Sequence, residues 1–358
     1  MAGLWLLAAI LLLGRFLRLP GPRLAALLGG LWLTIILLHL LAPASRAAAL
    51  VGGSAATWAV GGGVVAAILG YRALLRGLRA RAPEAALRPA APPEGGDAGM
   101  GGDELDRYAR HLVLREIGGA GQMRLRGARV LVVGAGGLGA PVCLYLAAAG
   151  VGRITLADDD RVDLSNLQRQ VIFRADQRGL PKAEAAAAAM AALNPHVAVT
   201  PLLRRVTAAD AALLAGHDLV IDGTDSFAAR DGVNRAAVAA GVPLIAGAIA
   251  QWEGQVTLYD PARGGPCLAC LFPLPPAAGL APACAEAGVV GALPGVVGSM
   301  MALEAIKLLT GAGQGLRDRM LIFDGLHGET RMIRTRRRAD CAICGTVAAA
   351  LETAAQPS

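Results

Sequence analysis

Residues 130–160 read VLVVGAGGLGAPVCLYLAAAGVGRITLADDD, and this stretch decides the fold. Arg129 to Val133 is a short β-branched apolar run that ends in the turn Gly134-Ala-Gly-Gly-Leu-Gly139. An Ala- and Leu-rich stretch to Ala149 follows, suited to a helix packed closely on a sheet, and Ile154 to Ala157 is a second strand. Gly134, Gly136 and Gly139, with Gly137 between them, let backbone N–H groups and a helix N-terminus approach a phosphate that any Cβ would hold off. A tight strand-to-helix turn without a ligand is the alternative, and the glycine pattern alone fits many dinucleotide binders.

The next segment narrows the choice. Residues 157–182, ADDDRVDLSNLQRQVIFRADQRGLPK, place an acid triplet, an Asn, an Arg and a Lys directly after the turn. Asp158 stands about twenty residues beyond the glycines, where a carboxylate would accept ribose hydroxyls. Asp159 reads as a solvated acid and Asp160 as a supporting or metal-side acid. Asn166, Arg169 and Lys182 separate a nucleoside triphosphate from a hydride carrier: phosphate displacement gains from cations on the leaving oxygens, whereas a dehydrogenase holds its pyrophosphate mostly with backbone. Exposed surface cations are the plain alternative for Arg169 and Lys182.

Further along, Val197 to Leu203 and Asp218 to Asp222 read as strands, with Pro181 to Leu193 and Ala208 to Ala215 as helices between them. Strands alternating with helices imply an α/β, doubly wound, mostly parallel Rossmann-like sheet, with ligands beyond the carboxyl ends of its strands. Asp222-Gly-Thr-Asp225 falls at such an end. Asp225 suits magnesium, which favours hard oxygen ligands, or else caps a helix. Residues 244–262 and 320–335 read as added strands, antiparallel, and Ser299 to Leu309 as a helix.

Six cysteines are present, and four form the pairs Cys267/Cys270 and Cys341/Cys344. Two such pairs can close a tetrahedral shell of thiolates around a structural zinc ion, with two redox dithiols as the alternative. Cys143 reads as small buried packing.

The composition divides the chain. Mean hydropathy is +0.51 over 358 residues, high for an ordinary soluble enzyme, and the excess lies in an apolar head with almost no acids. Leu24 to Ala42 and Ala47 to Tyr71 each meet the ~20 residues a membrane span needs, and Gly3 to Leu13 is a marginal third. Arg15, Arg18 and Arg23 on one side, and Arg72, Arg76, Arg79 and Arg81 after the last run, point both flanks to the cytoplasm, because the intervening loop holds only Arg46. The charge follows the first apolar stretch, unlike a cleaved signal peptide. The expected organisation is a membrane anchor (1–82), a Pro/Ala/Gly-rich linker (83–102), a catalytic domain facing the cytoplasm (103–347) and a tail (348–358). A start at Met100 would give a shorter product. The net charge of +7, from 34 Lys and Arg against 27 Asp and Glu, is assigned to membrane-flanking arginines and a solvated surface. With 4% aromatic residues there is no interleaved strip for nucleic acid.

The residues RYARH (107–111), VLVVGAGGLG (130–139), DLSNLQRQ (163–170), GLPK (179–182), LNP (193–195), DGTD (222–225), EGQVT (253–257), CLACLFP (267–273), CAEAGVVGALPGVVGSMMALEAIKLL (284–309) and CAICG (341–345) resemble the MoeB/ThiF/HesA family, bacterial relatives of ubiquitin-activating enzymes. The resemblance spans about residues 103–347 and covers nothing in the apolar head. It implies a homodimer that adenylates the C-terminal glycine carboxylate of a small ubiquitin-like sulfur carrier with ATP and Mg2+, releasing pyrophosphate. By position it implies that Asp158 binds ribose, that Asn166, Arg169 and Lys182 hold the triphosphate, and that Asp225 binds magnesium. It also implies that Arg110 reaches into the partner subunit's site; on its residue pattern alone Arg110 is a solvated helix residue. Cys284 matches a cysteine that some members link covalently to the carrier and others leave as a spectator. His111 stands where Gln is usual, and Ser226 where Asn commonly follows DGTD.

The expected carrier is MoaD-like, serving molybdopterin cofactor synthesis, with a ThiS-like thiamine-pathway carrier as the alternative. The chain ends at Ser358 without a sulfurtransferase domain, so a separate sulfur donor is expected. Two other classes fit parts of the pattern. An NAD-dependent oxidoreductase would bind dinucleotide regardless of Arg169, and a non-catalytic membrane docking subunit would keep its role without Asp225.

Overall fold

The computed structural model describes residues 21–81, 100–274 and 288–345. Two compact units divide between Arg88 and Pro89. In the first, α1 (Gly21–Leu41) is followed by the short α2 (Arg46–Val51) and by α3 (Ala55–Arg81). The second apolar run is therefore not one helix. Gly52 and Gly53 take φ of 77° and 82°, which ends α2, and the Ser54 hydroxyl accepts from the Thr57 N–H as a new helix begins. Trp32 Nε1 donates to the Trp58 carbonyl and Trp58 Nε1 to that of Gly52, which ties α1 to α3.

Among the described residues, the apolar stretches within α1 and α3 are Leu27–Leu41 and Ala55–Ala67, where a full span takes ~20 residues. Among the described residues, the helix that meets that length and apolarity is Ala292–Thr310 of the second unit. It is a core helix: Leu293, Val297, Met301 and Ala305 are buried in the same cluster as the sheet.

The second unit begins with α4 (Gly102–Leu112) and α5 (Gly118–Gly127), then alternates β1 (Arg129–Val133), α6 (Gly139–Ala149), β2 (Arg153–Ala157), α7 (Lys182–Leu193), β3 (Ala198–Leu202), α8 (Ala211–Leu214), β4 (Leu219–Asp222), α9 (Phe227–Ala240) and β5 (Leu244–Ala250). After these come β6 (Glu253–Tyr259), α10 (Leu268–Leu271), α11 (Ala292–Thr310), β7 (Arg319–Asp324) and β8 (Glu329–Arg334). The eight strands form one sheet in the order β3-β2-β1-β4-β5-β6-β7-β8. The first five are parallel and the last three antiparallel; β5, expected among the antiparallel strands, instead runs parallel to β4, because the helix α9 crosses over between them.

Strand β1 is buried from Val130 to Val133, because helices cover both faces of a parallel sheet. The order reverses between β1 and β4, so a crevice opens beyond their carboxyl ends. Two expected helices differ in length. The 208–215 helix shrinks to α8, because the Asp210 carboxylate takes the Thr207 N–H and hydroxyl in a local turn. The 299–309 helix begins earlier, at Ala292, since Pro294 lies in a first turn where no N–H bond is lost.

Candidate active site

At the end of β1, Gly134 adopts a φ of 90° and its N–H bonds the Ala157 carbonyl at 2.8 Å, locking the turn to β2. A Cβ on Gly139 would lie 1.8 Å from the Gly134 oxygen, so the start of α6 can follow this path only without a side chain. At Gly136, by contrast, the nearest atom to such a Cβ would be Gln170 Nε2 at 3.8 Å, leaving open space above the turn. At Gly137 it would meet Pro294 at 3.0 Å and the Arg169 stem at 3.6 Å. The turn is thus a backbone cradle with Arg169 beside it.

Asp158 sits at the end of β2. Its carboxylate accepts the Ala135 N–H at 2.7 Å and the Asp160 N–H at 2.8 Å, tying the acid to the turn while each oxygen retains a lone pair for a further donor. Burial raises its pKa above the usual carboxylate range, against the pull of those N–H groups and of Lys182. Asp159 is not merely solvated: it pairs with Arg205 Nε at 2.8 Å.

Lys182 opens α7 with a side chain only 5% exposed, and its ammonium lies 2.9 Å from the exposed Asp160 carboxylate. That burial removes the surface-cation reading for Lys182. Asn166 Oδ1 accepts from both Arg169 Nη2 and Gln170 Nε2 at 3.1 Å. Arg169, half-buried, also donates to the Ser165 carbonyl at 3.3 Å. Gln170 is buried and touches both the turn and Asn166, a role visible beforehand only as an Asn–Gln spacing of four in DLSNLQRQ.

The β4 end completes the crevice. A Cβ on Gly134 would meet Gly223 at 3.2 Å, so the glycine turn and the DGTD loop lie back to back. Asp225 is exposed and, among the described residues, bonds nothing. It does not cap α9. Ser226 does, accepting the Ala229 N–H at 3.3 Å, so the departure at that position serves as a helix cap.

Arg110 is exposed on α4, and no hydrogen bond or ion pair holds it among the described residues. His111 is structural here: its Nδ1 bonds Gln122 Oε1 at 2.9 Å, and Gln122 in turn donates to the Ala149 carbonyl. Cys284 lies outside the described residues, as do the 3–13 run, all but the end of the linker, and the tail. Cys143 is fully buried, and burial pushes its thiol up to about 12, in keeping with inert packing.

Away from the crevice, Cys267, Cys270, Cys341 and Cys344 are all buried, with their sulfur atoms within 4.8 Å of one another. Sγ separations are 3.8 Å for 267–270, 3.6 Å for 267–341 and 3.4 Å for 270–344. Four thiolates about 2.3 Å from a central zinc would stand roughly 3.8 Å apart, so the set fits such an ion. The Cys267 thiol bonds Cys270, which lowers the Cys270 pKa and raises its own. The site pins the segment after β8 to the one after β6, and the separate-dithiol alternative does not describe a four-sulfur cluster.

The crevice therefore offers a backbone cradle, two cations and two carboxylates, Asp158 at the end of β2 and the unengaged Asp225 beyond the end of β4. That set can hold and neutralise a polyphosphate; among the described residues it contains no paired nucleophile and base.

Comparison with known proteins agrees with this geometry. The ThiF family matches residues 108–343. A Thermus thermophilus protein named sulfur carrier protein adenylyltransferase is 48% identical over 248 residues, 68% of this chain and 92% of that protein. SAMP-activating enzyme E1 of Haloferax volcanii is 47% identical over 243 residues, 68% of this chain and 89% of that one. The mouse adenylyltransferase and sulfurtransferase MOCS3 is 48% identical over 266 residues, 74% of this chain but 57% of its own length. Among solved structures, Escherichia coli MccB with ATP superposes with a TM-score of 0.59 at 23% identity, covering 69% of this chain and 76% of that one, a likeness of fold.

Proposed function

Because the chain belongs to the ThiF family, we propose that it is an adenylyltransferase that uses ATP to activate the C-terminal glycine carboxylate of a small ubiquitin-like sulfur carrier. The observation that carries this reading is the convergence of the Gly134–Gly139 cradle, Asp158, Arg169, Lys182 and Asp225 on one crevice. In the reaction, a carboxylate oxygen attacks the α-phosphorus in line, forming the acyl-adenylate while the bond to the pyrophosphate oxygen breaks. No proton must move, so the step requires no general base. Asp158 holds the ribose, and the cradle N–H groups bind phosphate oxygens. Arg169 and Lys182 neutralise charge on the departing pyrophosphate. Asp225 is the oxygen ligand for a magnesium ion, which would supply further charge neutralisation there. Asp160 releases Lys182 to the nucleotide.

The finer reading is a MoaD-like carrier in molybdopterin cofactor synthesis, charged with sulfur by a separate donor. A homodimer fits the surface of α11, where Val296, Met300 and Leu303 border an apolar groove of about 520 Å³, and it would let the unengaged Arg110 enter the neighbouring site. The four cysteines hold zinc, which organises the fold. The apolar helices of the first unit anchor the chain in the cytoplasmic membrane, catalytic domain inward; carbonate-resistant sedimentation of the full chain tests that. ATP–pyrophosphate exchange with purified MoaD-like and ThiS-like carriers tests the chemistry. Exchange stimulated by the MoaD-like carrier is expected, and no exchange with either defeats the proposal.

A further inference from the structure

Two ionisable side chains near the crevice, one buried and one half-buried, have no part in the chemistry described so far. Asp222 is 1% exposed at the last position of β4, and Arg230 is half-buried one turn into α9. Opposite charges brought out of water normally pair, since desolvating each is costly. These two form no ion pair with each other. Instead Asp222 Oδ1 accepts the N–H of Thr224 at 2.9 Å, and Arg230 Nη2 donates to the carbonyl of Thr224 at 2.8 Å. Asp222 Oδ2 is buried without a partner. Both side chains are therefore committed to the two ends of one residue, the one immediately before Asp225.

The other side of Asp225 is fixed as well. Ser226 caps α9 through its hydroxyl, and its carbonyl accepts the Arg230 N–H at 3.1 Å. Asp225 thus projects from a backbone held on both flanks, while its own carboxylate is left unengaged.

We propose that Asp222 and Arg230 are positioning residues for the metal ligand: by clamping Thr224 they fix the direction of the Asp225 carboxylate and so set the affinity for the divalent cation. This rests on the assignment of Asp225 to magnesium. Groups that orient a metal ligand from behind typically change affinity or activity by about 10- to 100-fold when removed, whereas side chains that only fill space do not alter metal dependence selectively.

The test is a manganese titration of the full-length chain with ATP, read by the electron paramagnetic resonance of the free ion, alongside a magnesium titration of ATP–pyrophosphate exchange at saturating ATP and carrier. Arg230→Met is expected to raise the half-maximal concentration of either metal about tenfold, with a smaller fall in the exchange rate at saturating metal. Asp222→Asn, which keeps an acceptor for the Thr224 N–H, is expected to shift it less, and Arg230→Lys less than Arg230→Met. Asp225→Asn is the control for the underlying assignment and is expected to shift the titration most. If Asp225→Asn shifts it while the clamp variants titrate like the wild type, the clamp is refuted and the assignment stands. If Asp225→Asn itself titrates like the wild type, the magnesium assignment fails and the clamp with it. Should Arg230→Met not fold, wild-type titration in both Asp222→Asn and Arg230→Lys refutes the clamp equally.

Discussion

The Lys182 ammonium lies 2.9 Å from the Asp160 carboxylate, with the lysine side chain 5% exposed and its partner 60% exposed. The buried member is the cation, so the pair holds the charge at the crevice wall while its partner can turn to solvent. Replacing Lys182 with Met removes that charge and leaves Asp160 hydrated. The expected loss is about 10²- to 10³-fold in the rate of ATP–pyrophosphate exchange, the range found for a lost transition-state donor. A fall of less than threefold would show that the ammonium does not act on the triphosphate.

The glycines of the cradle make a contrast that can be measured. Alanine at 139 would place a methyl 1.8 Å from a backbone oxygen, so Gly139→Ala is expected to lower the unfolding midpoint sharply. Alanine at 136 meets nothing nearer than 3.8 Å, so that variant should fold normally. It would still hold a phosphate away from the backbone. Losing one charge-assisted bond of about 1.5–3 kcal/mol weakens ATP binding roughly 10- to 100-fold by calorimetry. Unchanged binding by a well-folded Gly136→Ala would remove the cradle from the site.

Much of this was legible from short segments. The parallel sheet follows from strand–turn–helix periodicity around 130–160, and the cradle, Asp158 and the two CxxC pairs follow from spacing. What was not legible depends on partners far along the chain or on competing local bonds. Asp160 and Lys182 are neighbours only because 161–181 folds back, with the Lys182 N–H bonding the Asp160 carbonyl. In RYARH and LNP, Asn194 Nδ2 donates to the Tyr108 hydroxyl at 2.8 Å and Arg107 to the Leu193 carbonyl, so those motifs dock α4 on the body. No periodicity in either segment announces that. The break at Gly52 and Gly53 was hidden because apolar content, unlike φ, does not distinguish one helix from two.

The four-sulfur site predicts a clean separation between stability and chemistry. Cys344→Ser removes one ligand from the cluster while lying apart from the cradle. The purified variant is expected to lose stoichiometric zinc by atomic absorption and to unfold at a lower temperature, yet to retain exchange activity at temperatures where it stays folded. Loss of exchange in a folded, zinc-free protein would place the metal in the reaction instead.

His217 gives the body a predictable response to acid. Its Nδ1 bonds the Leu213 carbonyl at 2.9 Å and its Nε2 the Thr155 hydroxyl at 2.8 Å, an arrangement that suits the neutral ring, with Nδ1–H donating and Nε2 accepting. Burial first, and then the positive charge of Arg129, hold its pKa below the ordinary 6.5, while Asp218 and the Leu213 bond oppose the shift. Below pH 6.5 the unfolded chain therefore takes up a proton at this position that the folded chain refuses. Stability must fall as the pH drops from 6.5 toward the folded pKa, and level off beneath it. Urea unfolding at pH 7 and pH 5 should show a smaller loss for His217→Gln than for the wild type, because the amide does not titrate. Carboxylates, including those raised by burial such as Asp158, are common to the two proteins and so cancel in the comparison. Equal losses in the two proteins would mean that the imidazole takes up its proton as readily in the folded chain as in the unfolded one, and at pH 5 the Thr155 hydroxyl would then have to accept from Nε2 rather than donate to it.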